Sequence, residues 1–224
     1  MRRVHILRTI DFLMLLSLPI LMGGAIIGDS HHEVLGTLMF LFVVVHHILN
    51  RWWHKTLFKG KYSPKRVLSL VTDLLLVIDI LLLMFSGVVI STFVFGFVET
   101  DSLYGTSRLI HLCGSYWGLV LMSFHAGLHI PYKRIWNWLK RFGKPAQIFV
   151  VAVVAGICGF GFYYFIQNNF MDYLFLRTHF AFIDFEQMVV VMVLKYACTM
   201  ALFAAVGTSV GAAAGAVVNK SIKR

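Results

Sequence analysis

The stretch HHEVLGTLMFLFVVVHHILNRWWH, residues 31–54, is apolar enough to cross a membrane and yet has five histidines near its two ends. Transferring an imidazole into hydrocarbon costs free energy unless its ring nitrogens are satisfied. These histidines therefore either lie at the membrane surfaces or bind something within the membrane. The rest of the sequence distinguishes the two cases.

The composition of the whole chain indicates a membrane protein. Of its 224 residues, 59% are hydrophobic and 13% are charged, whereas a soluble domain has about 25% charged residues. Six apolar segments are each near the ~20 residues that span a bilayer. They are roughly 9–28, 33–52, 67–95, 108–130, 147–167 and 187–207, the last extending in an alternative assignment to 218. The predicted fold is an all-α integral membrane protein with about six transmembrane helices.

The distribution of charge predicts the topology. The formal net charge is +10, and 17 of the 20 Lys and Arg residues fall in the two termini and in the loops 51–66 and 131–146. This positive-inside pattern predicts a multi-pass protein of the cytoplasmic (inner) membrane with both termini in the cytoplasm. The basic loops are expected to contact membrane lipid, so the charge does not indicate nucleic-acid binding. The first segment lacks a small-x-small cleavage site, which favours a helix over a signal peptide.

The histidines recur at a matched spacing. His32 and His46 are 14 residues apart, as are His111 and His125, and a shift of 79 residues superimposes the two sets. In a helix, 14 residues span about 21 Å and return to within about 40° of the starting direction. One helix intervenes, so both carrier helices run in the same direction. We therefore expect His32 to meet His111 (the outer pair) and His46 to meet His125 (the inner pair).

Two imidazoles approaching from opposite sides suit the axial positions of a six-coordinate haem iron, which binds a neutral ring nitrogen. We therefore predict two haem b groups, one at each pair and bound without a covalent link, since the sequence has no CxxCH motif. His47 is the alternative to His46, because its direction differs from that of His32 by about 60° instead of about 40°. The equal spacing favours His46.

Glycines and one arginine lie near the predicted histidine ligands in the sequence. Glycines within two turns of a predicted ligand are expected to let a porphyrin approach the helix backbone; they are Gly36, Gly114 and Gly118. Arg108 precedes His111 by one turn and is the predicted partner of a haem propionate. Close helix packing is the alternative role for the glycines, and membrane topology is the alternative for the arginine.

Two ionisable residues lie deep within apolar segments. Asp79 is 12 residues past Val67, about 18 Å into the third segment, and Lys195 has a comparable depth in the last one. An unpaired charge at this depth costs free energy. The sequence leaves two interpretations open, a structural clasp between Asp79 and Lys195 and a proton path or quinone contact at Asp79.

Four motifs carry a resemblance to a known group: HEVLG, HHILNRWW, SGVVIS and HAGLH. Over roughly 9–130 the chain resembles membrane-embedded di-haem b-type cytochromes, and more narrowly small bacterial proteins with a cytochrome-b-like domain of unknown function. The resemblance implies a four-helix bundle in which the outer and inner pairs ligate two haems, and electron exchange with a quinone or a redox partner protein. The predicted division is a di-haem bundle at 1–146 and additional transmembrane helices at 147–224.

The function expected from these features is electron transfer across the membrane between a quinone pool and a redox partner. The sequence has no flavin, nicotinamide or CxxC cluster motif, which favours a subunit of a quinol-linked oxidoreductase over an enzyme complete in itself. The alternative is a histidine-based metal-ion or proton transporter without haem. The sequence shows no carboxylate paired with the histidines, and this argues against the alternative.

Overall fold

The structure, a computed structural model, describes residues 2–57, 59–60, 62–98, 101–182, 184 and 186–222. In these residues the regular elements are all helical. They are α1 (Arg2–Leu21), α2 (Gly24–Ile27), α3 (Asp29–Leu49), α4 (Arg51–Thr56), α5 (Pro64–Ile90), α6 (Asp101–His129), α7 (Tyr132–Leu139), α8 (Gly143–Gln167), α9 (Phe170–Leu174) and α10 (Val189–Ile222). One turn of 3-10 helix, Lys140–Phe142, joins α7 to α8.

Six helical stretches are long and apolar enough, by length and composition, to cross a membrane. They are Val4–Leu21, Asp29–Leu49, Pro64–Ile90, Ser102–His129, Tyr132–Gln167 and Val189–Ala216. Helices satisfy their own backbone hydrogen bonds, which is what hydrocarbon requires of a spanning segment. The predicted all-α, six-helix membrane fold is confirmed, and the chain is a multi-pass membrane protein.

A break between the first two long helices places the first histidine. α1 ends at Leu21, and the chain restarts as the short α2 after Gly23. Gly28 then has φ of +90°, a conformation that favours glycine. α3 begins at the next residue, so His32 lies in its first turn and donates its backbone N–H to Gly28.

The chain forms two compact units. Unit 1 comprises Met1–Lys61, Leu76–Leu119 and Met171–Leu194, and unit 2 comprises Tyr62–Leu75, Val120–Phe170 and Lys195–Arg224. His32, His46 and His111 belong to unit 1, and His125 belongs to unit 2. The functional division predicted at 146/147 stays a prediction.

In unit 1, α1, α3 and α5 pack through apolar side chains. Ile10, Met14 and Val43 are buried together, and Ile80 of α5 packs against them. The five-residue helix α9 lies against α6, since Tyr173 stacks on Tyr116 with ring centroids 4.4 Å apart. These contacts fix the helices that carry the three histidines of this unit.

In unit 2, α10 packs closely on α6 next to His125. A Cβ atom at Gly127 would overlap the backbone of Ala204, and one at Gly207 would overlap the backbone of Phe124. Thr208 also donates its hydroxyl to the carbonyl of Gly127, at 2.9 Å. The small residues of α10, to which the sequence alone assigns no chemistry, therefore bring two helix backbones together beside a predicted ligand.

Candidate functional site

The structure brings His32 and His111 together. Their ring centroids are 6.0 Å apart, and the ring planes are inclined by 74°. Two metal–nitrogen bonds of about 2 Å, together with the distance from each bonding nitrogen to its ring centre, place two ligand centroids about 6 Å apart. The separation of the outer pair therefore fits two imidazoles on opposite sides of one metal ion.

A buried hydroxyl lies within hydrogen-bond distance of His111. The Oγ atom of Ser86 lies 3.2 Å from Nδ1 of His111, and the same hydroxyl donates its proton to the carbonyl of Leu83 at 3.1 Å. Because a serine hydroxyl has one proton, its oxygen accepts the hydrogen bond from Nδ1–H of the imidazole. His111 is therefore in the tautomer whose lone pair lies on Nε2.

His32 has a ring nitrogen that the protein does not satisfy. Its Nδ1 atom is buried and has no hydrogen-bond partner among the residues that the structure describes. Gly24 makes room for this ring, since a Cβ atom there would lie 2.6 Å from Nδ1. A buried polar atom without a partner is rare in proteins and calls for an explanation such as an absent ligand or water.

His46, in the last turn of α3, hydrogen-bonds through both ring nitrogens. Its Nδ1 atom lies 2.6 Å from Oδ1 of Asp11, and its Nε2 atom lies 3.1 Å from the amide nitrogen of Asn50. The amide nitrogen can only donate, so Nε2 accepts and the ring proton is on Nδ1, directed at the carboxylate. His46 thus has the same tautomer as His111.

His125 also has a carboxylate partner. Its Nδ1 atom lies 2.8 Å from Oδ1 of Asp73, and the ring of His129 is 4.7 Å away between centroids. Within the described part of the chain, Asp73, His125 and His129 are the one group of three potential metal ligands, with their ligand atoms within 4.8 Å of one another.

The sequence-based expectation that no carboxylate pairs with the histidines is wrong, because Asp11 and Asp73 do so. The available signal was depth: both acids lie near the ends of apolar segments that adjoin basic parts of the chain, on the predicted side of His46 and His125. The histidines therefore do have the carboxylate partners that a metal-ion or proton transporter would use.

The two adjacent histidines of α3 have different surroundings. Nδ1 of His47 lies 3.4 Å from Nε2 of His54, an exposed residue of α4. His46 instead faces α1, where Asp11 receives its ring proton. Of the two candidates for the inner ligand, His46 therefore contacts the carboxylate of Asp11, and His47 contacts the ring of His54.

Glu33, the residue after His32, was not singled out by the sequence. Its carboxylate accepts hydrogen bonds from the backbone N–H groups of Thr92, Phe93 and Val94 at 2.7–2.9 Å. It also accepts the hydroxyl proton of Ser91, at 2.6 Å. One side chain of α3 thus holds the loop that follows α5, the helix that carries Ser86.

The three glycines and the arginine predicted to contact a haem differ in packing and solvent exposure. A Cβ atom at Gly118 would lie 2.9 Å from Oδ2 of Asp79, and one at Gly114 would lie 3.1 Å from Leu83, so both glycines pack α6 against α5. Gly36 has more room, with its nearest neighbour atom 3.9 Å from an added Cβ. Arg108 is exposed. The assignment of these residues to a haem stays a prediction.

Asp79 belongs to unit 1 and Lys195 belongs to unit 2. Asp79 is 8% exposed, and its Oδ2 atom is buried without a hydrogen-bond partner in the described chain. The ammonium group of Lys195 lies 5.5 Å from the ring centre of Tyr164. The predicted clasp between the two residues stays a prediction.

No family model, no curated protein and no solved structure matches this chain. Its function is therefore inferred from the geometry of its own residues. Three of the four predicted ligands, His46, His111 and His125, direct Nδ1 at an oxygen atom of a neighbouring helix. The fourth, His32, lies 6.0 Å from His111 between ring centroids.

Proposed function

We propose that the chain is a di-haem b-type cytochrome that carries electrons across the membrane. The observation that supports it most is the oxygen acceptor at Nδ1 of three predicted ligands, which puts the lone pair of each imidazole on Nε2. At His46 this lone pair accepts a hydrogen bond from the amide of Asn50, which would have to move for a metal to bind. Histidines that bind metals almost always hydrogen-bond in this way through the other nitrogen, because the bond orients the ring and raises its basicity.

The outer pair favours haem over a bare metal ion. A structural zinc site needs four protein ligands, whereas His32 and His111 supply two, and no group of three ligands includes them among the described residues. A porphyrin fills four positions around its iron, so two imidazoles complete the coordination. Haem b supplies one-electron chemistry at its iron when bound.

The inner haem is assigned to His46 and His125 by the equal spacing of the sequence. Each of these residues is supported within its own unit by a carboxylate, Asp11 for His46 and Asp73 for His125. The same contact favours His46 over His47 as the ligand. A membrane carrier with two haems would exchange electrons with a quinone or quinol dissolved in the lipid and with a redox partner protein on one face.

A second candidate function has support from one cluster. His125 and His129 are one helical turn apart on α6, and Asp73 approaches them from α5. Two imidazoles and a carboxylate form a common ligand set for zinc and other divalent transition metals. This cluster would give a histidine-based metal-ion transporter without haem a binding site, with His125 as the residue that both functions need.

Haem content and metal content of the purified protein separate the two functions. We expect two haem b groups per chain in a pyridine haemochrome assay, one in His111→Ala and two in His129→Ala, since His129 lies outside both pairs. A protein free of haem that binds zinc, and loses the zinc in His129→Ala, would overturn the cytochrome in favour of the transporter. Reduction of the haems by a quinol analogue then tests the quinone link, which an unreactive protein would contradict.

A further inference from the structure

The carboxyl group of Asp79 is a buried acidic group of unit 1 for which the proposed haem ligation has no use. The side chain is 8% exposed, and Oδ2 has no hydrogen-bond partner within the described residues. An isolated carboxylate in a low-dielectric interior is costly, so a buried carboxyl group takes up a proton more readily than an exposed one. A residue of purely structural value at this position would not need to be acidic.

Helix α6 is shaped to admit this carboxyl group. Gly114 and Gly118 are one turn apart on the face that meets α5, and a Cβ atom at Gly118 would lie 2.9 Å from Oδ2 of Asp79. A Cβ atom at Gly114 would also lie 3.4 Å from Oδ1. Two glycines therefore provide the space that Asp79 fills, and the carboxyl group is held between two helices.

The carboxyl group is close to the outer pair. Gly114 and Gly118 follow His111 by three and seven residues on α6, and Asp79 precedes Ser86 by seven residues on α5. Seven residues of helix correspond to about 10 Å. A unit charge at this distance changes the free energy of a buried carboxylate by about 1–2 kcal/mol at an effective dielectric constant of about 20, which is roughly a tenfold change in proton affinity.

We propose that Asp79 is a redox-linked proton-binding site. Asp79 takes up one proton from the aqueous phase when one electron arrives at the outer pair, and releases that proton when the electron leaves. The electron comes from the quinol or redox partner of the proposed function, on which this inference rests. The added negative charge of the electron is balanced by the positive charge of the proton, so the low-dielectric interior holds no net extra charge.

The surroundings of Asp79 supply few competitors for the proton. The titratable group facing it from α6 is Cys113, whose thiol donates to the carbonyl of Leu174 at 3.4 Å. On its own helix the neighbour toward Gly114 is Leu83, and Ile80 packs among apolar residues of α1 and α3. The proton acceptor at this site is therefore the carboxyl group itself.

The test is the pH dependence of the haem midpoint potentials in the purified protein. We expect one potential to fall as pH rises in the native protein, and this slope to be lost in Asp79→Asn, which keeps the size of the side chain and cannot titrate. Asp172→Asn, a matched change in an acid that pairs with Arg177 outside the spanning helices, should keep the slope. Native haems whose potentials do not vary with pH, or a slope that survives in Asp79→Asn, would overturn the proposal.

A second measurement needs no variant at Asp79. The redox-difference infrared spectrum of the native protein should contain a carboxylic-acid C=O band that appears on reduction and shifts when aspartate is isotopically labelled at the carboxyl carbon. Haems that reduce without such a band would overturn the proton site and leave the cytochrome intact. A purified protein without haem would overturn both, so the two failures are distinguishable.

Discussion

The outer and inner histidines differ in what holds their rings. His111 directs Nδ1 at the neutral hydroxyl of Ser86, whereas His46 and His125 direct Nδ1 at the carboxylates of Asp11 and Asp73. A carboxylate makes the imidazole a stronger electron donor than a hydroxyl does, and a more basic ligand stabilises oxidised iron. The difference predicts that the inner haem has the lower reduction potential.

The two regions also differ in the solvent exposure of the residues that hydrogen-bond to the histidines. Ser86 is fully buried, while Asp11 is 44% exposed at its side chain and Asp73 is 14% exposed. A partly exposed carboxylate can remain charged, whereas a fully buried position favours a neutral hydroxyl. Burial therefore explains why each region uses the partner that it has.

Replacing a histidine is expected to have the largest effect, a change in the haem content of one of the two regions. In His46→Ala we expect the haem content to fall from two to one per chain, because the proposed inner haem would lose one of the two histidines that hold it. In the matched variant His47→Ala both haems should remain, since His47 contacts His54 at the surface. Haem per protein from the pyridine haemochrome decides, and loss of haem in His47→Ala alone would reassign the inner ligand.

The next effect is expected at Gly24. In Gly24→Ala the new methyl group would meet Nδ1 of His32 at 2.6 Å, so the ring must shift. Overpacking of this kind typically costs about 1–3 kcal/mol, and we expect the outer haem to be lost or weakly bound. Gly105→Ala is the control, because an added Cβ there has no atom within 4 Å in the described structure. Equal haem retention in both variants would contradict the crowding of His32.

Removing a carboxylate partner should change haem binding and reduction potential more than removing a hydroxyl partner. In Asp73→Asn we expect the inner haem to bind about 10–100-fold more weakly, the usual cost of losing such a partner, and its potential to rise. Ser86→Ala should change the outer potential less, since a neutral hydroxyl is removed. Spectroscopic redox titration measures both potentials. A larger shift in Ser86→Ala than in Asp73→Asn would contradict the stronger effect expected of a carboxylate.

Much of the fold could be predicted from the sequence. The six spanning helices follow from length and apolarity, and α5 begins at Pro64, three residues before the third apolar segment marked in the sequence. Proline suits the first turn of a helix because its missing N–H has no partner there in any case. The meeting of His32 and His111 followed from equal spacing on two helices of the same direction.

The partners of the histidines could not be predicted in the same way. Asp11 lies 35 residues from His46, and Ser86 lies 25 residues from His111. Which residue of α1 or α5 faces an imidazole depends on how each helix is rotated about its axis, and a continuously apolar segment has no polar face to reveal that rotation. For the same reason the sequence leaves both a porphyrin contact and close helix packing open for Gly114 and Gly118, since spacing does not show which helix they face.

Glu33 should give the smallest effect on the haems and a clear one on stability. Its carboxylate accepts three backbone hydrogen bonds and two hydroxyl hydrogen bonds from residues 91–94. Hydrogen bonds to charged groups contribute about 1.5–3 kcal/mol each when buried. Because Glu33 is near the surface, we expect Glu33→Gln to lower the free energy of unfolding by about 1–2 kcal/mol. The exposed Glu186→Gln serves as the control in thermal unfolding of the purified protein. Because the Glu33 contact joins α3 to the loop at 91–94, we expect the melting temperature of Glu33→Gln to fall while the haem content stays at two. An unchanged melting temperature would contradict the stabilising role of this contact.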